Sequence, residues 1–556
     1  MVTFPDSQSI AASGALPAGG RSVVLNEPVG GDGAGMIVVE GARRVQASVS
    51  GLQRLQVQLR FWHFVDFGGR LVPDALLPWD GGVRPTEEPN QPLSIEVSVP
   101  YGTRPGSYRG AVRVAADARS FTVPVQVTIY PVQLPRPGQV AGSLPAVFGI
   151  GPQAYVNRAI QLYHLAGQQI RAANDALFSL LSAYRLSPDS WGYGIPNNPA
   201  GYTAAPDAAH WWLDKPGFML SEVAHPFSML WIPLSNNRAG AADDIAHLSP
   251  DAPQTWCGYL QSVRRFWAAH GLLATGAIPY VYPYDEPGYT QTDLLARQAS
   301  VVHRCFAGAK VLVTANPSPA PAELRTLEHT GTTGNTRLYD GKGSDDIDIW
   351  SVVDWRYYGL FTPIGMQKQH IDRTRMYERA IDQASRNGKE IFTFTYYGPP
   401  GIPSLRATEP LTDPRMFVLW AALEHIQGIL YGEGMTTYGA PGNPLSSVAD
   451  GGESVLLYPG PQGPIPSARL EQIRDGIEDW ELLDIVRRHF GQARVRTILG
   501  QAGLFSADAQ GVELSCLVGC DLKGPTPYAW PQWSHDQTTP TRIETARLAA
   551  LRLASS

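Results

Sequence analysis

The sequence predicts a multidomain protein that combines all-β and α/β architecture. An N-terminal β-sandwich (1–137) is followed by a (β/α)8 TIM-like barrel (138–440) and a short C-terminal strand and helical region (441–556). Three observations carry this. The first stretch alternates apolar and polar residues in short runs between Gly- and Pro-rich turns, the pattern of a sandwich. Beyond it, strand-like and helix-like runs alternate, the pattern of a parallel sheet wrapped by helices. The fourth such strand, Ala274 to Tyr284, stops abruptly at Asp285 and Glu286, and Pro287-Gly288 then breaks the chain. An acidic pair at the C-terminal end of a buried strand lies where an α/β barrel keeps its chemistry.

Composition bounds the function. A chain of 556 residues with 44% hydrophobic and 17% charged residues is globular and large enough for several domains. The net charge of −6 and the lack of a basic cluster argue against a nucleic-acid partner. No apolar run reaches membrane-spanning length, so no membrane partner is expected. The start, Met1 to Asp6, has neither a basic nor an apolar leader region. The reading is a cytoplasmic protein, or a secreted or periplasmic one whose signal peptide was removed. Cys257 and Cys305 fall on helices flanking the fourth strand and are within reach of pairing, with buried free thiols the default. Cys516 and Cys520 make either a small disulfide loop or half of a metal site lacking its other half.

In chain order, the sandwich strands are read at Ser22–Leu25, Gln56–Arg60, Leu93–Val99 and Phe121–Tyr130. Pro131 to Pro137 is a stiff connector. The barrel strands are read at Leu144–Gly149, near Tyr184-Arg185-Leu186, Ser228–Leu234, the Asp285-Glu286 stretch, Val311–Asn316, Ile347–Val353, Ile391–Tyr397 and Gly428–Tyr431. One long helix is expected between the first two, about Gln153 to Leu181, and others over Thr292–Cys305, Lys368–Asn387 and Pro414–Glu424. After the barrel, Ser467 is placed to N-cap a helix whose apolar face is Leu470, Ile473, Ile477, Trp480 and Leu483. Arg474 and Glu478 stand at i, i+4 and can pair. Asp475 and Asp479 share a face and repel unless a cation or Arg sits between them. These charges read as structural.

The chemistry follows from which strand ends carry acids. Strand seven ends in Tyr396 and Tyr397, without a carboxylate. A double-displacement glycosidase needs an acid and a nucleophile flanking the scissile bond. Two neighbours on one strand, with Cα atoms about 3.8 Å apart, can hardly do that. Adjacent acids do suit hydrolysis in which the substrate's own acetamido oxygen attacks the anomeric carbon. One carboxyl then protonates the leaving oxygen, and the other stabilises the charge on the acetamido nitrogen of an oxazolinium. Mutual repulsion raises one of the two pKa values into the range of a general acid.

Three stretches resemble glycoside hydrolase family 123, the β-N-acetylgalactosaminidases and their broader relatives. They are Tyr280-Val281-Tyr282-Pro283-Tyr284-Asp285-Glu286-Pro287, Tyr396-Tyr397-Gly398-Pro399 and Arg474-Asp475-Gly476-Ile477-Glu478-Asp479-Trp480-Glu481. The resemblance runs to about residue 490 and includes the order of sandwich and barrel. It implies a general acid/base at Glu286, an acetamido-stabilising residue at Asp285, and no cofactor. The chain departs from the relatives at Tyr431-Gly432, where they tend to carry Tyr-Trp.

The candidate sugar ligands are Tyr396, Tyr397, Tyr431, Trp350, Trp355, Arg185, Asn316 and His225. Trp350 and Trp355 form a stacking wall, with core packing an equal reading of Trp350, and His225 is a hydroxyl ligand or structural. No metal-ligand spacing occurs. The expected activity is a retaining exo-glycosidase acting on a terminal β-linked N-acetylhexosamine. Two alternatives stand beside it. One is another glycosidase with Glu286 as acid and Asp348, Asp354, Glu424 or Glu433 as nucleophile. The other is a non-catalytic carbohydrate-binding protein.

Overall fold

The computed structural model describes residues 1–150, 152–188, 225–232, 252–269, 271–283, 292–317, 346–353, 379–395, 403–432, 450–453, 455–506, 532–533, 536 and 538–556. The N-terminal strands are β1 (Val2–Pro5), β2 (Val23–Val29), β3 (Asp32–Glu40), β4 (Arg44–Ser50) and β5 (Gln56–Asp66). They continue as β6 (Leu71–Trp79), β7 (Arg84–Pro85), β8 (Asn90–Ser98), β9 (Gly106–Ala116) and β10 (Arg119–Gln133). Two five-stranded sheets form, ordered β1-β3-β8-β5-β6 and β2-β10-β9-β4-β7. All their pairs are antiparallel except β10 with β2.

Alternation puts Val123, Val125, Val127 and Ile129 of β10 into a shared core with Ile37 and Val39 of β3 and Ile95 and Val97 of β8. The first sheet is covered on its other face too. Met36, Val38, Trp62 and Leu76 form a second cluster with Ala468 from the C-terminal helix. That second cover explains why β8 is buried through nearly its whole length while β10 alternates.

The barrel strands are β11 (Ala146–Phe148), β12 (Ser187–Pro188), β13 (Met229–Trp231), β14 (Ile278–Val281), β15 (Lys310–Val313), β16 (Ile349–Val353), β17 (Glu390–Phe394) and β18 (Gly428–Tyr431). Every paired neighbour is parallel, in the order β12-β11-β18-β17-β16-β15-β14-β13. Ser187 spans the seam between β12 and β13: its Oγ accepts from Met229 N at 3.0 Å and lies 3.3 Å from Ser228 Oγ. The result is a nearly closed TIM-like barrel.

Two expectations shift. The second strand begins at Ser187, because Tyr184 and Arg185 form a turn in which Arg185 takes φ 62°. The long first helix is two, α1 (Pro152–Tyr163) and α2 (Gln168–Ala183), parted where His164 and Gly167 take φ 53° and 55°. Next come α3 (Ala252–Ala269), α4 (Thr292–Cys305) and α5 (Asp413–Leu423). Cys257 and Cys305 join α3 to α4 in a disulfide rather than remaining thiols. Its sequence separation of 48 makes the cross-link a sizeable restraint on the unfolded chain. Cys257→Ser/Cys305→Ser is expected to lose about 2–5 kcal/mol in urea unfolding. A loss below about 0.5 kcal/mol would show that the packing alone holds these helices.

After the barrel come a short hairpin, β19 (Leu457–Tyr458) and β20 (Ile465–Pro466), and the helices α6 (Ala468–Phe490), α7 (Gln492–Gln501) and α8 (Thr539–Ala554). Ser467 caps α6 as expected, its Oγ accepting from Leu470 N at 3.0 Å. The expected apolar face is buried, and so is the opposite face, because α6 lies between the barrel and the sandwich with α8 against it.

Candidate active site at the C-terminal face of the barrel

Parallel strands place all their C-terminal ends on one face, so the residues ending β11 to β18 meet there. Among the described residues these ends are largely aromatic and hydroxyl-bearing. Phe148 and Tyr431 stack tilted with centroids 5.6 Å apart. Tyr282 and Thr314, at the ends of β14 and β15, share a hydrogen bond of 2.7 Å between hydroxyls. Thr395, just past β17, donates to Pro403 O at 3.3 Å. Asp285 and Glu286 follow Pro283 by two and three positions and lie outside the described residues. Tyr396, Tyr397, Trp355, Asp354 and Glu433 lie outside them as well.

The described candidates separate by position. Asn316 follows β15 at the C-terminal face and is 6% exposed. Tyr431 ends β18, with its hydroxyl donating to Glu453 O. Trp350, the second residue of β16, is 1% exposed and belongs to the barrel core. Arg185 and His225 precede β12 and β13, which puts them at the opposite end. His225 Nε2 lies 3.1 Å from Asp175 Oδ1 on α2.

Arg185 donates to Pro135 O and Gly30 O at 2.8 Å each, and pairs with Glu481 at 2.9 Å and Glu478 at 3.5 Å. It therefore ties the sandwich and α6 to the lower rim of the barrel. Two of the alternative nucleophiles are at that end too. Asp348 precedes β16 and accepts from Val311 N at 2.8 Å, with His303 Nε2 2.7 Å away. Burial pushes its pKa up, but the His303 and Val311 bonds outweigh this and hold it below the usual value. Glu424 follows α5, 3.8 Å from Arg496.

The charged stretch of α6 is a buried ion network. Arg474 pairs with Asp475 at 2.9 Å, whereas Glu478 turns to Arg185 and Arg547. Arg415 and Arg547 both reach Asp479, which is how the two aspartates share a face. Arg547 on α8 also pairs with Glu27 of β2. Burial pushes Glu27 up to about 8 against the pull of Arg547, and Glu481 up to about 7 against Arg185. Glu96 and Glu471 interact across the sandwich–α6 boundary. Burial and the neighbouring charge raise Glu471, while its hydrogen bond and Arg60 outweigh burial and lower Glu96.

Sequence reasoning missed a second buried arginine of α6, Arg469, and its sandwich partner Asp74. The visible signal was an arginine two residues past the helix cap, between Ala468 and Leu470.

Residues 360–486 match the family model described as "Glycoside hydrolase 123, catalytic domain". The fold is similar to that of a family 123 glycoside hydrolase from Clostridium perfringens, solved in a study of glycolipid glycan hydrolysis. The TM-score is 0.60 at 12% identity, over 100% of this chain and 98% of that one. A Bacteroides ovatus GH5 xyloglucanase aligns over 82% of this chain and 98% of its own at 12% identity, with a TM-score of 0.24. No curated protein sequence matches.

Proposed function

We propose that this glycoside hydrolase family 123-like chain is a retaining exo-glycosidase removing a terminal β-linked N-acetylhexosamine, N-acetylgalactosamine foremost. The carrying observation is the match of residues 360–486 to the family 123 catalytic domain, in a TIM-like barrel whose fourth strand is followed in the sequence by Asp285-Glu286. In this reading Glu286 protonates the leaving oxygen and later deprotonates water. Asp285 orients the acetamido group and stabilises the oxazolinium nitrogen. Tyr396, Tyr397 and Trp355 supply sugar contacts, with Asn316 and Tyr431 beside them. The reading needs no cofactor.

Two observations support it over a separate nucleophile. Strand seven brings no carboxylate to its C-terminal end, and Asp348 and Glu424 sit at the wrong end of the barrel. A terminal N-acetylgalactosamine on a glycolipid glycan is the first natural substrate class to try, given the chemistry named for the Clostridium perfringens structure. The Cys257–Cys305 disulfide favours an oxidising compartment.

The test is hydrolysis of nitrophenyl β-glycosides bearing N-acetylgalactosamine, N-acetylglucosamine, galactose and arabinose. Cleavage confined to the N-acetylated sugars is expected, with the anomeric configuration retained. Cleavage of galactoside or arabinoside would sink substrate assistance and send the search for a nucleophile to Asp354 and Glu433.

A further inference from the structure

Two loops leave the C-terminal ends of strands seven and eight, and their described residues are 395 and 403–412 in the first and 432, 450–453 and 455–456 in the second. One follows β17 and reaches α5; the other follows β18 and reaches α6 through the β19–β20 hairpin. Both converge on Arg469, in the first turn of α6 and 1% exposed. The planar guanidinium has five N–H donors, and all five are used. Nε and Nη2 donate to the two carboxylate oxygens of Asp74 at 3.0 and 2.8 Å. Nη1 donates to Leu405 O in the first loop and Gly452 O in the second, and Nη2 donates to Val455 O, also in the second.

Asp74 belongs to β6, so the group that aims this fork comes from the sandwich. Tyr458 donates its hydroxyl to the same carboxylate, and Phe67, from the β5–β6 turn, lies with its ring 5.8 Å from the guanidinium carbon. A Cβ on Gly452 would come within 2.3 Å of Phe67, and its φ of +81° is a glycine conformation. The two loops are also tied to one another, by Ala407 N to Gly451 O at 2.8 Å and by Arg406 to Glu453 at 3.0 Å. Glu453 O in turn holds the hydroxyl of Tyr431.

We propose that Asp74 and Arg469 are positioning residues for hydrolysis: one sandwich carboxylate orients one arginine, which fixes residues 405–407 of the first loop and residues 451–453 and 455 of the second. The claim rests on the functional reading above, because the first loop is the one that carries Tyr396 and Tyr397. The sandwich is then part of the catalytic unit. Its removal takes away the group that aligns the loops rather than an independent module.

Asp74→Asn keeps the shape and removes the charge. Arg469→Lys keeps the charge and removes the fork. Val125→Ala, in the sandwich core, is a control that destabilises without touching the loops. Loss of folded fraction lowers apparent kcat alone, whereas displaced loops also raise KM.

Well below the melting temperature, KM for nitrophenyl β-N-acetylgalactosaminide is expected to rise roughly fivefold or more in Asp74→Asn and Arg469→Lys, with kcat down about tenfold. Both constants stay with the wild type in Val125→Ala. Backbone hydrogen exchange at Ala407 and Val455 is expected to speed up about tenfold in the first two variants and not in the third. If either variant fails to fold, Tyr458→Phe, which removes one bond to Asp74, carries the same two measurements.

A KM within about twofold of wild type in the folded variants overturns the positioning role. Unchanged exchange at both amides overturns the loop ordering itself. The exchange arm needs no substrate, so a wild type silent on this sugar would count against the functional reading and leave the loop claim to be decided by exchange.

Discussion

Glu286→Gln is expected to lower kcat/KM, which reports the bond-cleaving step alone, by about 10²–10⁴-fold on a disaccharide substrate while leaving the fold intact. The size follows from what the group does. An alkoxide is a poor leaving group, so bond cleavage waits on proton donation. Nitrophenolate leaves without much help, so the loss on the nitrophenyl substrate is expected to be far smaller. Asp285→Asn should behave differently. It removes the charge that stabilises the oxazolinium nitrogen, which forms whatever the leaving group is, so both substrates slow alike. Steady-state kinetics of the two variants on the two substrates checks this. Equal losses for Glu286→Gln on both, or a wild-type rate for Asp285→Asn, would reassign these carboxyls.

Arg547→Met is expected to cost about 3–5 kcal/mol of stability at pH 8. Arg547 is 5% exposed and reaches Glu27, Glu478 and Asp479. Without it those carboxyls remain buried with less compensation. The pH dependence has a defined sign. Glu27 is raised from 4.5 to about 8 even with Arg547 present, and loss of the guanidinium raises it further. A carboxyl with a raised folded pKa contributes stability that is complete below about 4.5 and lost as pH climbs through the folded value. The penalty should therefore shrink at pH 5.5. Urea unfolding at the two pH values measures it, with the exposed Arg552→Met as a control expected to fall within about 0.5 kcal/mol of wild type. A penalty equal at both values would mean that packing of the stem, and not the charge, is what was lost.

Much of the barrel was legible because buried parallel strands are apolar on both faces and so appear as unbroken runs. Val311 to Val313 and Ile349 to Val353 needed no partner to be recognised. β12 was the exception: Ser187-Pro188 carries no apolar run, and its place is set by the pairing of Val147 with Ser187 and by the seam at Ser228. The break between α1 and α2 escaped notice for a similar reason, since the apolar period continues across a turn whose positive φ values only the packed chain reveals.

The candidate site divides the same way. The acidic pair, its strand and the lack of a carboxylate on strand seven are facts of the sequence. Arg185 looked like a strand-end ligand because its neighbours are apolar, yet its contacts lie in the sandwich and on α6.

What the sequence by itself determined was local and periodic: alternating sandwich strands, most of the barrel strands, the Ser467 cap, the buried stripe of α6 and the position of Asp285-Glu286 in the chain. These follow from covalent geometry and side-chain period, which act over a few residues. Only the tertiary structure decided the partners of the charges. Arg474 and Glu478 satisfy a helical pairing rule, yet Glu478 meets Arg547, 69 residues away, and Arg469 meets Asp74, 395 away. A buried ion takes the opposite charge that folding brings within reach, and nothing in its own neighbourhood along the chain names which one.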